Sequence, residues 1–213
     1  MLSTLKVALA WRYAHVACRI MPDWKEFRRV VKLYRSKGRH YHTLKHVADC
    51  ISFMRETFGY DGQYPVAILA LIYHDCIYDV TRKDNEERSA EEFKQYASGK
   101  FLDRFVRVGQ ELILATKSHE PASDRMTQIV LDSDLHILAA EWDKYARYAK
   151  GVWKEYRVFG KDGYIKGRTA FLEGARLDIE FSSPEMKSKS RLIRRNFMME
   201  LIYLTNYTDE FLR

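Results

Sequence analysis

The stretch at residues 66–75, VAILALIYHD, carries eight apolar residues and then His74 and Asp75. An apolar run of this length is typical of a buried helix or a buried strand. No alternating strand pattern stands near it as a pairing partner, which favours a helix. A buried carboxylate is costly unless a cation compensates its charge. The stretch therefore indicates an interior helix that carries a histidine and an aspartate into the core.

Helical spacing extends along the rest of the chain. Residues 43–58 repeat apolar side chains every three or four positions, which is typical of one buried helix face. Residues 142–159 repeat aromatic side chains in the same way. Residues 84–99, 101–116, 164–179 and 186–207 are predicted to be further helices. The apolar face predicted for the first helix carries Leu5, Leu9, Val16 and Ile20.

Capping residues and helix breakers predict where these helices begin and end. Asp23, Asn85 and Ser123 are the predicted N-caps. Residues 59–65 are predicted to form a loop, and residues 160–163 are predicted to end the aromatic helix. The chain is therefore predicted to be an all-α, single-domain helical bundle over residues 1–213.

Length and composition indicate one folded domain in a reducing compartment. The chain has 213 residues, of which 46% are hydrophobic and 31% are charged. Cys18, Cys50 and Cys76 are far apart and form no CxxC pattern, which argues against disulfides and zinc fingers. No stretch reaches the roughly 18 apolar residues of a membrane span. We expect a cytoplasmic protein that does not enter membranes.

The net charge of +7 favours an anionic partner, such as a nucleotide or another phosphate ester. Positive charge is densest between Lys187 and Arg195, in the run KSKSRLIRR. Such a run is a candidate nucleic-acid contact. Interleaved aromatic residues are missing there, so we prefer ordinary solvated charge.

Further polar residues fall where burial is expected. Asp134 is bracketed by Leu131, Leu135 and Leu138, so it also faces the interior. Helix bundles build metal sites when several helices each deliver a histidine or a carboxylate to the core. The alternative is that His74 and Asp75 form a hydrogen-bonded pair without a metal. The residues alone leave both interpretations open.

A longer set of motifs resembles a known family. In order, the segments are RHYHTLKH at 39–46, YHDCIYD at 73–79, NEERSA at 85–90, TKSH at 116–119, DSDLHIL at 132–138, YARY at 145–148 and EY at 155–156. The set is similar to that of the HD superfamily, and in particular to bacterial and phage proteins described as predicted metal-dependent HD phosphohydrolases. The resemblance covers about residues 35–180, and it leaves the first and last helices unmatched.

The resemblance implies that His46, His74, Asp75 and Asp134 hold a divalent metal ion. Asp134 is preferred to Asp132 because Asp134-Leu135 best matches the final aspartate of the family. Two imidazoles and two carboxylates suit Mn²⁺, Fe²⁺, Co²⁺ or Ni²⁺, and they tolerate Mg²⁺. Such an ion lowers the pKa of bound water and orients a phosphoryl oxygen. Asp75 is then a candidate to help remove the proton.

Neighbouring residues receive catalytic roles from the same resemblance. His42, His119 and Glu86 are candidates to contact phosphate, protonate a leaving group or hold water. A surface histidine is the alternative for His119, and helix N-terminal charge is the alternative for Glu86.

Other neighbours are candidates for substrate binding. Arg39 and Lys117 are candidates to clamp phosphate, with ordinary surface charge as the alternative. Tyr41 is a candidate to stack on a base, whereas Tyr145 and Tyr148 are expected in the core.

We therefore expect a metal-dependent phosphohydrolase that acts on a small phosphate ester, with a nucleotide as the preferred substrate. Two alternatives remain. A di-iron HD oxygenase requires ligands for a second metal, for which His42 and His119 are the candidates. A non-catalytic module that binds nucleotides or nucleic acid requires only a structural or degenerate site.

Overall fold

A computed structural model describes residues 2–59, 64–178, 180–206 and 208–212. Over these residues the protein is an all-α helical bundle without strands, so the predicted fold class is confirmed. The α-helices are α1 (Leu2–Ala17), α2 (Trp24–Leu33), α3 (Leu44–Phe58), α4 (Pro65–Tyr73), α5 (Asn85–Ala97), α6 (Asp103–Ala115), α7 (Arg125–Leu135), α8 (Trp142–Glu155), α9 (Gly160–Asp178), α10 (Pro184–Lys187), α11 (Ser190–Asn206) and α12 (Thr208–Leu212). Short 3₁₀ helices at His136–Ala139 and Tyr156–Phe159 follow α7 and α8.

The central helix is α4, as the apolar run at 66–73 predicts. Every residue from 66 to 73 is buried, and α4 packs against α1, α6 and α7. Pro65 occupies the first turn, where its missing N–H costs no hydrogen bond. The helix ends at Tyr73, so His74 and Asp75 lie at its carboxyl end, inside the bundle.

One predicted cap is correct and two are wrong. Asp23 accepts hydrogen bonds from the backbone N–H groups of Lys25 and Glu26, both at 3.0 Å. Asn85 does not cap α5, because its side chain instead exchanges two hydrogen bonds with the backbone of Asp79. Asp124 replaces Ser123 as the cap of α7. Neighbouring polar residues can compete for a cap, and geometry decides between them.

The apolar face predicted for α1 is also wrong. Leu5, Leu9 and Val16 are 57%, 58% and 57% exposed. The buried face instead carries Val7, Ala10, Trp11, Ala14 and His15. Both faces of α1 are apolar, and the face with Trp11 and two alanines is the one that packs against α3 and α4.

The aromatic helix predicted at 142–159 is interrupted earlier than expected. α8 ends at Glu155, and the residues predicted to form a break, 160–163, begin α9. Gly160 makes the junction with a φ of 72°, a left-handed conformation that glycine adopts without steric cost. Residues 60–63 of the predicted loop and the predicted helix ends at Ile179 and Tyr207 lie outside the described residues.

Two hydrophobic clusters form the core. The first is built from residues of α1 to α7, and the second from Leu135 onward, mainly from α8, α9 and α11. The functional residues lie where the two clusters meet. Among the described helices, none is long and apolar enough to cross a membrane.

Candidate metal centre

Three helices bring the four predicted ligands to one place. His46 lies on the buried face of α3, one turn after its cap at Thr43. His74 and Asp75 follow α4 directly, and Asp134 lies at the end of α7. His46 and His74 are 3% and 1% exposed, so both imidazoles are inside the protein.

The ligand atoms are spaced as they would be around one ion. The Nε2 atoms of His46 and His74 are 3.2 Å apart. Asp134 Oδ1 lies 3.0 Å from His46 Nε2, and Asp75 Oδ2 lies 3.0 Å from His74 Nε2. Bonds of about 2.1 Å separate adjacent ligands by about 3.0 Å in an octahedral site and about 3.4 Å in a tetrahedral site.

A hydrogen bond on the outer side of His74 leaves its inner nitrogen as an acceptor. His74 Nδ1 lies 2.9 Å from the carbonyl oxygen of Leu71, to which it donates. His46 Nδ1 lies 3.5 Å from Cys50 Sγ. The lone pair of His74 and two carboxylates then face one another beside His46, which is unfavourable without a proton or a cation among them. A metal ion therefore fits these residues.

The electrostatics of the cluster point to the same need for positive charge. Burial lowers the pKa of His74, but Asp75 and Asp134 outweigh that effect and hold the pKa well above its ordinary value. Burial raises the pKa of Asp134, but His74 and His119 outweigh it and hold that pKa well below its usual range. The cluster thus attracts a proton or a divalent cation.

Cys50 is the residue of this cluster that the sequence analysis did not assign to it. Together with His46 and Asp134 it forms a second group of atoms close enough to share an ion. Burial, followed by the charges of Asp134 and Asp75, raises the pKa of the Cys50 thiol well above its ordinary value. Cys50 Sγ lies 3.5 Å from His46 Nδ1 and 3.7 Å from His46 Nε2, so the thiol borders the cluster beside His46.

The structure places Asp134, and not Asp132, beside the other ligands. Asp132 is fully buried, and its two oxygens accept hydrogen bonds from the backbone N–H groups of Ser182 and Ser183, at 2.8 and 2.9 Å. It therefore ties α7 to the segment before α10. Asp134 uses its second oxygen to bind His119 Nε2, at 2.9 Å.

A cavity of about 790 Å³ opens beside the ligands. This volume is in the range of sites that bind drug-sized molecules. The cavity brings together most of the residues that the sequence analysis proposed for catalysis or substrate binding. Those that line it are Tyr41, His42, Asp75, Glu86, Lys117, His119 and Asp134.

Glu155 holds the segment that carries His42. Its Oε1 accepts the backbone N–H groups of His40, Tyr41 and His42, at 2.7, 2.7 and 2.9 Å. Its Oε2 binds His42 Nδ1 at 2.7 Å and the hydroxyl of Tyr78 at 3.1 Å. Glu155 belongs to the motif EY at 155–156, for which the sequence predicted no role. Its position in the sequence could have indicated a buried role, because this carboxylate falls on the aromatic, buried face of α8.

The charges of this pair reinforce each other. Burial raises the pKa of Glu155, but the hydrogen bond and charge of His42 outweigh it and lower that pKa to about 2. Burial lowers the pKa of His42, but Asp75 and Glu155 outweigh it and raise the pKa above its ordinary value. Glu155 therefore fixes the imidazole and favours its charged form.

His119 closes the carboxyl end of α6 in an unusual conformation. Its φ is 53°, and its backbone N–H bonds to the carbonyl of Ala115. A non-glycine residue in this region is uncommon and often belongs to a functional site. The turn carries the imidazole to Asp134 at the cavity wall.

The structure corrects the role expected of Arg39. Its guanidinium donates to the backbone carbonyls of His42, Asp75 and Cys76, all at 2.8 Å, and to Ser36 Oγ at 2.9 Å. These bonds occupy most of its donors, and Arg39 does not line the cavity. Arg39 therefore joins two ligand-bearing segments and does not clamp phosphate.

Three further residues that were predicted to act on the substrate line the cavity, and each has different neighbours. They are Lys117, Tyr41 and Glu86. Lys117 donates to the side chain of Glu87 and to the carbonyl of Lys83. Tyr41 packs its ring against His46, with centroids 4.8 Å apart. Glu86 lines the opening beside Lys117.

The two tyrosines expected in the core differ in position. Tyr145 is fully buried, as expected, and donates to Glu200. Tyr148 is partly buried against the second hydrophobic cluster, and it also lines the cavity.

The basic run from Lys187 to Arg195 lies elsewhere. Lys187, Lys189 and Arg191 are exposed, and Arg194 pairs with Glu180 at 3.3 Å. None of the described residues in this run lines the cavity.

The chain matches no protein-family model, no curated protein and no solved structure. The class of protein is therefore described from the fold and the cluster alone. It is an all-α bundle with histidines and aspartates that could hold a metal ion.

Proposed function

We propose that the protein is a metal-dependent phosphohydrolase of the HD type that hydrolyses a small phosphate ester, with a nucleotide as substrate. One observation carries the proposal. The Nε2 atoms of His46 and His74 lie 3.0–3.6 Å from Asp75 Oδ2 and Asp134 Oδ1, and both aspartates line an open cavity. The ordered motifs that resemble the HD phosphohydrolases support the same class.

His46, His74, Asp75 and Asp134 would hold the ion, and their mixed nitrogen and oxygen set suits Mn²⁺, Fe²⁺, Co²⁺, Ni²⁺ or Mg²⁺. A divalent ion bound there supplies Lewis acidity to a phosphoryl oxygen and to water. Asp75 lines the cavity and is placed to accept a proton from the attacking water.

His42 is placed to protonate the leaving oxygen. Its Nδ1–H donates to Glu155, which leaves Nε2 as the nitrogen able to exchange a proton with substrate. The charged form of the ring is favoured because Glu155 and Asp75 raise the pKa of His42 against the effect of burial. An imidazolium with a fixed ring is a suitable general acid.

His119 and Lys117 both line the cavity just after α6, and they have different roles in this proposal. His119 Nε2–H donates to Asp134 and orients that carboxylate. Lys117 lies at the opening with its side chain 43% exposed, so its charge attracts a phosphate from solvent. Glu86, beside Lys117, is placed to hold water or a substrate hydroxyl.

A product screen tests the proposal. Purified protein is incubated with nucleoside monophosphates, diphosphates and triphosphates, deoxynucleotides, cyclic nucleotides and alarmones, with Mn²⁺, Mg²⁺, Co²⁺ or Ni²⁺ in turn. We expect metal-dependent release of phosphate or a phosphorylated product from at least one of them. His74→Ala and Asp75→Ala should lose both metal and product while they remain folded by circular dichroism. If both variants keep metal at the wild-type ratio, the ligand assignment is wrong.

One observation favours a second candidate, the di-iron oxygenase. Asp134 presents Oδ1 to the ligand cluster and Oδ2 to His119, so it is placed to bridge two ions. Two iron atoms per chain together with oxygen uptake would support the oxygenase. A non-catalytic binding module would instead bind nucleotide without forming any product.

A further inference from the structure

The cavity continues beyond the ligand cluster into a second region. We call this region the aromatic chamber, and it is lined by Tyr148, Tyr156, Phe159, Gly163, Gly167 and Phe171. These residues come from α8, the 3₁₀ helix after it and α9. None of them is an acid or a metal ligand. The cavity therefore has a polar end at the metal ligands and an aromatic end along α9.

One face of α9 is left bare in the chamber. Gly163, Gly167 and Phe171 are four residues apart, so they follow one another along the same face. A Cβ at Gly167 would meet no heavy atom within 4 Å, and a Cβ at Gly163 would meet only Phe159, at 3.5 Å. A flat group can therefore lie directly on the helix backbone at Gly167.

The chamber rim is apolar and open to solvent. Phe159 is 48% exposed and Phe171 is 42% exposed. Large aromatic side chains left uncovered beside a cavity commonly mark a binding site. Leu135, Leu138 and Val152 add apolar surface to the cavity wall.

A charge beneath the chamber is already neutralised. Arg168 is 8% exposed, and its Nε and Nη2 donate to the two oxygens of Glu200, at 2.8 and 2.9 Å. Its guanidinium lies 5.5 Å from the ring centre of Tyr148 and 5.1 Å from that of Phe171. Because Glu200 balances the charge, this end of the cavity does not favour a second phosphate.

We propose that the aromatic chamber binds an uncharged, nucleobase-sized ring of the substrate, while a single phosphate group lies at the ligand cluster. The substrate class is thus a ring-bearing monophosphate ester, and its ring is held by α8 and α9, not by Tyr41. This inference rests on the proposed phosphohydrolase function, because that function places the phosphate of the substrate at the ligand cluster. Whether the chamber binds a ring can be tested separately, by measuring the binding of a ligand that has no phosphate.

The matched pair of substrates is adenosine 5′-monophosphate and ribose 5-phosphate. Both release phosphate from a primary alcohol, and the first carries a base that the second lacks. Gly167→Leu fills the chamber, whereas Gly174→Leu makes the same change on the same helix at an exposed glycine outside the cavity. Leucine is a better helix former than glycine, so both variants should fold.

We expect the wild type and Gly174→Leu to prefer the nucleotide, measured as a ratio of kcat/KM values. Gly167→Leu should lower this ratio by about tenfold or more, since steric exclusion from a filled pocket is discriminating. An unchanged ratio in Gly167→Leu, or no preference for the nucleotide in the wild type, would overturn the proposal. Adenosine 5′-triphosphate should be a poorer substrate than the monophosphate, and the reverse order would also contradict it.

Calorimetric binding of adenosine separates this inference from the proposed function. Adenosine has no phosphate, so its binding does not depend on hydrolysis. Binding to the wild type and Gly174→Leu that is lost in Gly167→Leu supports the chamber even if no phosphate ester is ever hydrolysed. Failure of the wild type to bind adenosine, or equal binding by Gly167→Leu, would refute it.

Discussion

Two of the buried polar clusters among the described residues balance their charges in opposite ways. The ligand cluster contains His46, His74, Asp75 and Asp134, and its facing atoms are imidazole nitrogens and carboxylate oxygens. The second, which we call the Arg168 cluster, contains Tyr145, Tyr148, Arg168 and Glu200. It carries its own cation, bonded to both oxygens of Glu200.

The difference separates a site from a structural network. An ion pair with satisfied hydrogen bonds needs nothing further, and removing one partner leaves an uncompensated buried charge. A group of facing acceptors is complete only when a cation joins it. We therefore expect substitutions in the ligand cluster to change metal content, and substitutions in the Arg168 cluster to change stability.

The largest effect should come from Asp134→Asn. The amide loses the negative charge that faces both imidazoles, so the variant should lose its metal and at least about 100-fold of its activity. Metal analysis and phosphate release measure the two losses.

Asp132→Asn is the matched control on the same helix. It should keep metal at the wild-type ratio but lose about 1–3 kcal/mol of unfolding free energy, because one backbone N–H of residues 182–183 loses its acceptor. If the Asp132 variant lost its metal and the Asp134 variant kept it, Asp132 would be the ligand and Asp134 the structural residue.

Glu200→Gln should have the next largest effect, and on stability alone. It leaves the buried guanidinium of Arg168 without a counter-charge, which costs about 3 kcal/mol. For a chain of this size the melting temperature should fall by about 10 °C. Metal content should stay at the wild-type ratio, and exposed Glu173→Gln is the control that should leave melting unchanged. A Glu200 variant that melts like the wild type would contradict the comparison.

Glu155→Gln should lower turnover by about 100-fold while metal is retained. The amide N–H₂ of glutamine faces His42 Nδ1, so Nδ1 must become an acceptor and the proton moves to Nε2. The imidazole is then held in the wrong tautomer for a charged general acid. Steady-state kinetics with metal analysis checks this, and normal turnover would remove His42 from the proposed mechanism.

The same variant should change the acid stability of the protein. The pKa of Glu155 is lowered in the folded state from 4.5 to about 2, so its contribution to stability is present above pH 4.5 and is lost as the pH falls toward 2. Unfolding free energies of the wild type and Glu155→Gln should therefore converge between pH 4.5 and 2. A constant difference across this range would contradict the assigned charge of Glu155.

The smallest effect should come from His119→Ala. His119 orients Asp134 without belonging to the four ligands, so metal and melting temperature should be kept while turnover falls about tenfold. Loss of metal together with activity would indicate a second ion at Asp134 and favour the oxygenase.

Residues next to each other in sequence allowed much of the fold to be predicted. The helix at 66–73 and the cap at Asp23 follow from local pattern alone. The buried face of α1 does not, because apolar residues occur on both of its faces and only packing chooses between them.

The candidate site depended on longer distances along the chain. Arg39 reaches carbonyl groups 36 and 37 residues away, and Glu155 reaches His42 across 113 residues. The position of a charged residue within a sequence motif does not show which distant residues it will contact in the folded protein. The sequence placed Arg39 in the right region but with the wrong role, and it gave Glu155 no role at all.

The division of the cavity between helices has an evolutionary consequence. The ligands come from α3, α7 and the end of α4, whereas the aromatic chamber comes from α8, α9 and the 3₁₀ helix between them. Gly163, Gly167 and Phe171 lie on α9, which carries none of the four proposed ligands. Codon changes in α9 would therefore reshape this part of the cavity wall and leave the four proposed metal ligands unchanged.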